Sequence, residues 1–253
     1  MEELIKAGAP INVTDQFGQT PLLRAAQSGN SVIVRRLVEA RAQVNVADVQ
    51  GVTPLHHAAQ SGNLESVKAL LAAGANLEAM DKNGRYPLLM AILSEKDNAD
   101  VAKLLIDKGA NGSRLREGDL SLLHLAAGRG HESTLRVLLK AGLDPKKRDA
   151  KGRSLLHHAA AGGDVATLKL ALEQGADIET GDAERSTPLH TGAEWGRPAV
   201  VRHLVERGAN WQSKNQLGQT PLEASKAVPK DMRNPGNTQV EAFLLEVQAK
   251  AAK

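Results

Sequence analysis

Gly51-Val52-Thr53-Pro54-Leu55-His56-His57-Ala58-Ala59 is the stretch that decides the fold, because variants of it return along the whole chain. Its Thr-Pro pair predicts the start of a helix, since a threonine oxygen can accept a free backbone N–H group and proline fits the first helical position. The equivalents of this threonine are spaced 33, 33, 35, 33, 33 and 33 residues apart, at Thr20, Thr53, Tyr86, Ser121, Ser154, Thr187 and Thr220. A sustained period of this length predicts a stacked array of repeats.

Each repeat combines a turn with two helices. In Asp48-Val49-Gln50-Gly51, the aspartate can bond the backbone downstream of it and the glycine can adopt a positive φ. The second helix carries an apolar face, as at Val67, Leu70 and Leu71, and stops at a glycine such as Gly74. We predict one domain over 1–253, with repeats at 15–47, 48–80, 81–115, 116–148, 149–181 and 182–214, a preceding half repeat at 1–14, and a C-terminal capping repeat at 215–253 with an inserted loop at 228–237.

Some repeats depart from this pattern. Arg41 stands where the helix-ending glycine recurs, and the repeat 81–115 is two residues longer, with the extra length near Ser94–Asn98. The array begins halfway through a repeat, which favours a fragment of a longer protein over an irregular cap. After the inserted loop, a final helix is expected at roughly 238–250.

Composition limits the classes of function. Aromatic residues make up 2% of the chain, which suits thin layers of helices, and the absence of cysteine excludes disulfides and cysteine-based zinc sites. No apolar run approaches the length of a membrane span, so membrane insertion is not expected. The net charge of +3 is mild, and the sequence pI of 9.1 favours an acidic partner without requiring nucleic acid. We expect a monomer in the cytoplasm, with the nucleus as the alternative.

The chain resembles ankyrin-repeat proteins. The resemblance lies in the signature Asp-x-x-Gly-x-Thr-Pro-Leu-His-x-Ala-Ala, followed by Val-x-x-Leu-Leu-x-x-Gly-Ala, which 48–76 and 182–210 match closely. It implies an all-α repeat solenoid of about seven repeats, each with a β-hairpin finger and two antiparallel helices. It also implies binding of other proteins through the fingertips and the first-helix face, on the concave side.

The histidines do not predict a metal site or catalysis. Four of them fill the histidine position of the signature, which the resemblance makes a structural hydrogen-bonding position: His56, His124, His157 and His190. His57 and His158 lie three repeats apart, too far to share a zinc ion. Motifs of hydrolases or phosphate-binding loops are absent from the sequence. We therefore expect a protein that is not an enzyme and has no cofactor.

Positions that the repeat leaves variable are the candidate binding surface. An apolar strip is predicted from Val49, Val52, Met90, Leu120 and Leu125, flanked by Arg85, Arg129 and Arg153. Trp195 is the best single candidate for an anchor, because tryptophan and arginine dominate interface hot spots. The complete predicted set is Phe17, Arg24, Val49, Val52, His57, Arg85, Met90, Leu120, Leu125, Arg129, Lys151, Arg153, His158, Glu194 and Trp195.

The main hypothesis is a module that binds a partner protein or an extended peptide, acidic and with an apolar anchor. One alternative is a regulatory or targeting segment of a larger enzyme, channel or effector, and another is a structural spacer without a specific ligand. A nucleic-acid reader is less favoured, because aromatic side chains do not accompany the basic run at 146–153. That run is either a solvated finger or a patch for an acidic partner.

Overall fold

The structure is a computed structural model that describes residues 10–252. The chain divides into two compact units, Met1–Gly112 and Ser113–Lys253, and each is described by itself. The single domain over 1–253 therefore stays a prediction. So does the half repeat at 1–14, most of which lies outside the described residues.

Between residues 10 and 112, the first unit contains three pairs of helices. The first helices of the pairs pack on one another in chain order, and so do the second helices. The pairs are α1 (Pro21–Gln27) with α2 (Ser31–Glu39), α3 (Pro54–Ser61) with α4 (Leu64–Ala72), and α5 (Pro87–Leu93) with α6 (Ala99–Asp107). The prediction of a longer third repeat is confirmed in its position, because five residues separate α5 from α6 where two separate α3 from α4.

The second unit continues the same pattern with four pairs, and two short 3-10 turns lie at Glu117–Asp119 and Lys230–Met232. Neighbouring first helices pack together here as well, and the final helix packs against the helices of the last two pairs. The pairs are α7 (Leu122–Gly128) with α8 (Glu132–Lys140), α9 (Leu155–Gly162) with α10 (Val165–Glu173), α11 (Pro188–Glu194) with α12 (Pro198–Glu206), and α13 (Pro221–Ala227) with α14 (Pro235–Ala251).

The signature histidine caps its own helix and ties it to the next finger. His56 Nδ1 accepts the backbone N–H of Thr53 at 3.1 Å, so its proton lies on Nε2, which donates to the carbonyl of Arg85 at 2.9 Å. Burial lowers the pKa of His56 below the usual histidine value and keeps the ring neutral. The equivalent bonds run from His157 to Ser186 and from His190 to Gln219, whereas His124 bonds the carbonyl of Lys147, just before the finger that begins at Asp149. The structural role predicted for these four histidines is confirmed.

The fingers are hydrogen-bonded turns, and no strand is assigned anywhere between residues 10 and 252. In the finger that begins at Asp48, the Asp48 N–H donates to the Val52 carbonyl and the Gly51 N–H donates to the Asp48 carbonyl. Neighbouring fingers share one further bond, such as that from Ala183 N–H to the Lys151 carbonyl at 2.9 Å. The expectation of β-hairpins is therefore corrected, because each finger is too short for a ladder of strand pairs.

Most second helices end at a glycine with positive φ, as predicted. These glycines, from Gly74 to Gly208, have φ values between 78° and 96°. Arg41 takes the same backbone conformation with φ 64°, a region that the side chain of an L-residue disfavours. Backbone bonds from the Arg41 N–H to the Val38 carbonyl and from the Ala42 N–H to the Leu37 carbonyl accompany this disfavoured conformation.

The C-terminal loop predicted at 228–237 is shorter than expected. Residues Lys230–Met232 form a 3-10 turn, and α14 begins at Pro235 rather than near 238. The reason is a cap: the Asn234 side chain accepts the Gly236 N–H at 2.8 Å, and proline at the first helical position has no N–H to lose. The proline that suggested a loop starts the helix instead.

In the part of the chain that the structure describes, every helix falls short of the length and apolar character needed to cross a membrane.

Candidate functional site

A groove in the second unit brings together four of the predicted site residues. It lies between the finger that begins at Asp149 and the finger that begins at Asp182, beside the end of α11, and has a volume of about 340 Å³. Its lining includes Lys151, Arg153, Glu194 and Trp195 from the predicted set, together with Asp182, Glu184 and Thr191. These four predicted residues therefore lie together around one groove.

The C-terminal helix holds the end of α11 that presents Trp195. The buried Asn237 side chain donates to the carbonyls of Ala193 at 3.2 Å and Glu194 at 3.0 Å, and Asn234 donates to the carbonyl of Trp195 at 3.1 Å. These bonds satisfy carbonyls that a helix end leaves free. The Trp195 side chain remains 52% exposed, so packing does not account for this residue.

Arg153 is held by an ion pair within the chain. Its guanidinium bonds Asp149 Oδ2 at 2.8 Å, and His158 Nε2 lies 2.9 Å from the same oxygen. Burial would raise the pKa of Asp149, but hydrogen bonds from Arg153 and His158 outweigh it and lower that pKa to about 2. His158 also stacks on His124, with ring centroids 4.6 Å apart. Arg153, which lines the groove, is therefore already paired within the chain, and His158 is not among the lining residues.

The other side of the groove is acidic and lacks internal cations. Asp182 Oδ1 accepts the backbone N–H groups of Glu184 and Ser186 at 3.0 and 2.8 Å. Among the described residues, no lysine, arginine or histidine forms an ion pair with Asp182, Glu184 or Glu194. Burial raises the pKa of Glu194, and the charges of Asp182 and Glu184 raise it further. The groove therefore holds negative charge that the chain itself does not neutralise.

The remaining predicted residues of the second unit stay apart from this groove lining. Leu120 and Leu125 are half-buried, and Arg129 is exposed at the end of α7. Within the basic run 146–153, Arg148 bonds the carbonyls of Gly152 and Gly181, so that arginine is part of the fold.

In the first unit, the predicted residues differ in exposure and in pairing. Phe17 and Val49 are exposed near fingertips, whereas Arg24 pairs with Asp15 at 2.8 Å. Arg85 pairs with the buried Asp81 at 2.6 Å. His57 is half-buried, and burial lowers its pKa.

Two residues of the predicted apolar strip are buried. Val52 is 7% exposed, because the position before the helix lies at the base of the finger, where a short side chain cannot reach solvent. Met90 is 4% exposed, because α5 is apolar on every side and such a helix is enclosed by its surroundings. Both residues are corrected from binding surface to core.

Sequence reasoning missed the acidic half of the groove. Asp182 was assigned only to the turn, and Glu184 occupies the variable fingertip position for which Lys151 was selected in the preceding repeat. One available signal was Ser186, which stands where Arg85 and Arg153 stand in two other repeats. A finger aspartate without its arginine was visible in the sequence.

Metal binding has no support in the described region. Between residues 10 and 252, no three histidine, aspartate or glutamate side chains are grouped so that they could hold a metal ion. The groove presents charged side chains, an aromatic ring and backbone groups that can recognise a ligand.

Comparisons with known proteins agree with this architecture. A family profile described as ankyrin repeats matches residues 1–81, 73–149 and 123–215. Among solved structures, the crystal structure of the human ASB11 ankyrin repeat domain is similar, with 28% sequence identity and a TM-score of 0.74 over 90% of this chain and 97% of that chain. A search of curated protein sequences found no match. The profile, the period and the helix pairs together show that the chain belongs to the ankyrin-repeat family.

Proposed function

We propose that this chain is a protein-interaction module without catalytic activity of its own, and that it binds a partner protein or an extended peptide at the groove beside Trp195. Ankyrin repeats are in general protein–protein interaction modules. The observation that carries the proposal is the exposed Trp195 ring in a groove with charged walls. A large aromatic side chain that is left in solvent next to a concave polar surface is typical of an interface anchor.

The groove is suited to binding because its walls are fixed before a partner arrives. The lining residue Arg153 is held by its ion pair with Asp149, and α14 fixes the backbone that carries Trp195. A preformed surface loses little conformational entropy on association. The fingers and first helices therefore act as the binding side, as the family resemblance leads us to expect.

Affinity capture from the source cells tests this proposal. The wild-type chain, Trp195→Ala and the control Met232→Ala are used as bait, because Met232 is also an exposed apolar residue but does not line the groove. We expect partners that are retained by the wild type and by Met232→Ala and are lost with Trp195→Ala. Identical capture by all three baits contradicts the assignment of the groove.

A further inference from the structure

We propose that the groove beside Trp195 receives an arginine side chain from an extended segment of the partner protein. The inference rests on the proposed function and specifies the chemistry of its central contact. It follows from an internal comparison between repeats, from the charges that line the groove and from the aromatic ring at its edge.

In three other repeats, a guanidinium group of the chain itself neutralises the finger aspartate. Two of these arginines lie four residues after their aspartate, and the third lies nine residues after it. The pairs are Arg24 with Asp15 at 2.8 Å, Arg85 with Asp81 at 2.6 Å, and Arg153 with Asp149 at 2.8 Å. The finger turn is thus a recurrent binding position for a guanidinium group in this protein.

The repeat that begins at Asp182 has no such arginine. Ser186 and Thr191 stand at the two positions that supply it elsewhere. Asp182 Oδ1 is used by two backbone N–H groups, as in the other fingers, while no side chain of the described residues donates to its Oδ2. The carboxylate therefore presents an acceptor in the groove at the position where Asp15, Asp81 and Asp149 each hold an arginine.

The groove lining carries more unpaired carboxylates than unpaired cations, which favours a cationic ligand. Asp182, Glu184 and Glu194 line the groove without ion pairs, and of the two cationic side chains in its lining Arg153 is already paired with Asp149. Lys151 is left as the single unpaired cation among the described residues that line it. Burial and the like charges of Asp182 and Glu184 also raise the pKa of Glu194 and disfavour its ionised form. A cation from outside relieves this repulsion.

The exposed ring of Trp195 selects among cations. A guanidinium group is planar, stacks on an aromatic face and can at the same time bond a carboxylate with two N–H groups. An ammonium group is a compact, strongly hydrated point charge without a face to stack. Arginine therefore satisfies the ring and the carboxylates together, whereas lysine satisfies the charge alone.

This chemistry differs from the partner expected from net charge. The expectation of an acidic partner rested on the overall basic charge of the chain and on the basic run at 146–153, in which Arg148 and Arg153 are bonded within the chain. The local charge of the groove has the opposite sign to the net charge of the whole chain. We therefore assign a basic contact to this groove.

Selection from a phage-displayed library of random peptides tests the proposal on the full chain. Three baits run in parallel: the wild type, the groove variant Glu184→Gln/Glu194→Gln, and the control Glu173→Gln/Glu206→Gln. The control makes the same change in charge at exposed positions outside the groove lining. We expect arginine to be enriched on the wild type and on the control, and to lose its enrichment on the groove variant.

The strongest peptide is then resynthesised with its arginine replaced by citrulline, which keeps the shape and removes the charge. We expect about a tenfold or greater loss of affinity for the wild type and a much smaller loss for the groove variant. Enrichment of lysine in place of arginine overturns the assignment of arginine. Enrichment of acidic or uncharged peptides that need Trp195 overturns the basic contact while leaving the proposed function intact.

Failure of the proposed function has a separate signature. Selected peptides that bind Trp195→Ala as tightly as the wild type show that binding lies outside the groove. Selection that yields no peptide preferring the wild type over the groove variant contradicts the arginine contact. Far-UV circular dichroism of each variant checks that its helices are intact.

Discussion

Replacing Asp149 by asparagine removes the charge at the centre of the most connected network in the second unit. The Asp149 side chain is 2% exposed, and its Oδ2 binds both Arg153 and His158. Its Oδ1 accepts the backbone N–H groups of Lys151 and Arg153, and an asparagine oxygen can keep these bonds. The new amide nitrogen then faces the Arg153 guanidinium, which can only donate, so the substitution replaces a charge-assisted bond by two opposed donors.

The pKa of Asp149 sets the size of the effect. The difference between the ordinary aspartate value of 3.8 and about 2 corresponds to about 2 kcal/mol of stability near neutral pH. Because the pKa is lowered by folding, this contribution is complete above pH 3.8 and is lost as the pH falls through about 2. We therefore expect Asp149→Asn to lower the free energy of unfolding by about 2 kcal/mol near pH 7 and by progressively less in acid.

The assay is urea denaturation of the full chain followed by far-UV circular dichroism, with hydrogen exchange and mass spectrometry to locate the loss. Hydrogen exchange is needed because a repeat array can unfold in parts. We expect the amides of the finger 149–153 and of α9 to lose protection first. The amides of the first unit should exchange as in the wild type.

Asp182→Asn is the matched control. Asp182 makes the same finger bonds but no ion pair, and Asn215 already serves in that position with bonds of 3.0 Å to the backbone of Leu217 and Gln219. The control should change stability by less than about 0.5 kcal/mol. Equal effects of the two substitutions, or an Asp149→Asn effect that does not shrink in acid, would refute the reasoning.

Three further predictions follow from single contacts. Arg41→Gly should stabilise the chain by about 1 kcal/mol in urea denaturation, because glycine adopts φ 64° without strain, and no gain would argue that local bonds compensate. Burial lowers the pKa of His158 to about 4, so the free energy of unfolding should fall as the pH drops from 6.5 towards 4. The substitution His158→Gln should flatten that dependence, and a pH profile that the substitution leaves unchanged counts against a buried neutral ring. Asn237→Ala leaves the carbonyls of Ala193 and Glu194 without their buried donor and should lower the free energy of unfolding by about 1–3 kcal/mol. Hydrogen exchange should become faster in α14 than in α8, and uniform exchange contradicts the anchoring role.

The repeat pattern alone predicted the helices, their stops and the role of the signature histidines. These features depend on short-range rules, such as Thr53 capping its helix and Gly74 taking a positive φ, and the period repeats them at each copy. The family matched by the profile is the one that the signature indicated. The exposed Trp195 was also identified from its variable position.

Burial and pairing at the variable positions could not be read from the period. Val52 and Met90 look like free apolar residues in the alignment of repeats, but the length of the side chain and the apolar character of α5 bury them. Arg85 and Arg153 look like free basic residues until the finger turn folds and brings Asp81 and Asp149 to them. The acidic character of the groove becomes evident only when the arginines that are paired within the chain are no longer counted as free cations.

Hydrogen–deuterium exchange of the full chain, alone and with a partner recovered by the wild type but not by Trp195→Ala, tests the central claim most directly. The account predicts that the partner protects the finger 182–186, the end of α11 and the finger 149–153. Protection confined to the second helices α8, α10 and α12 would contradict it.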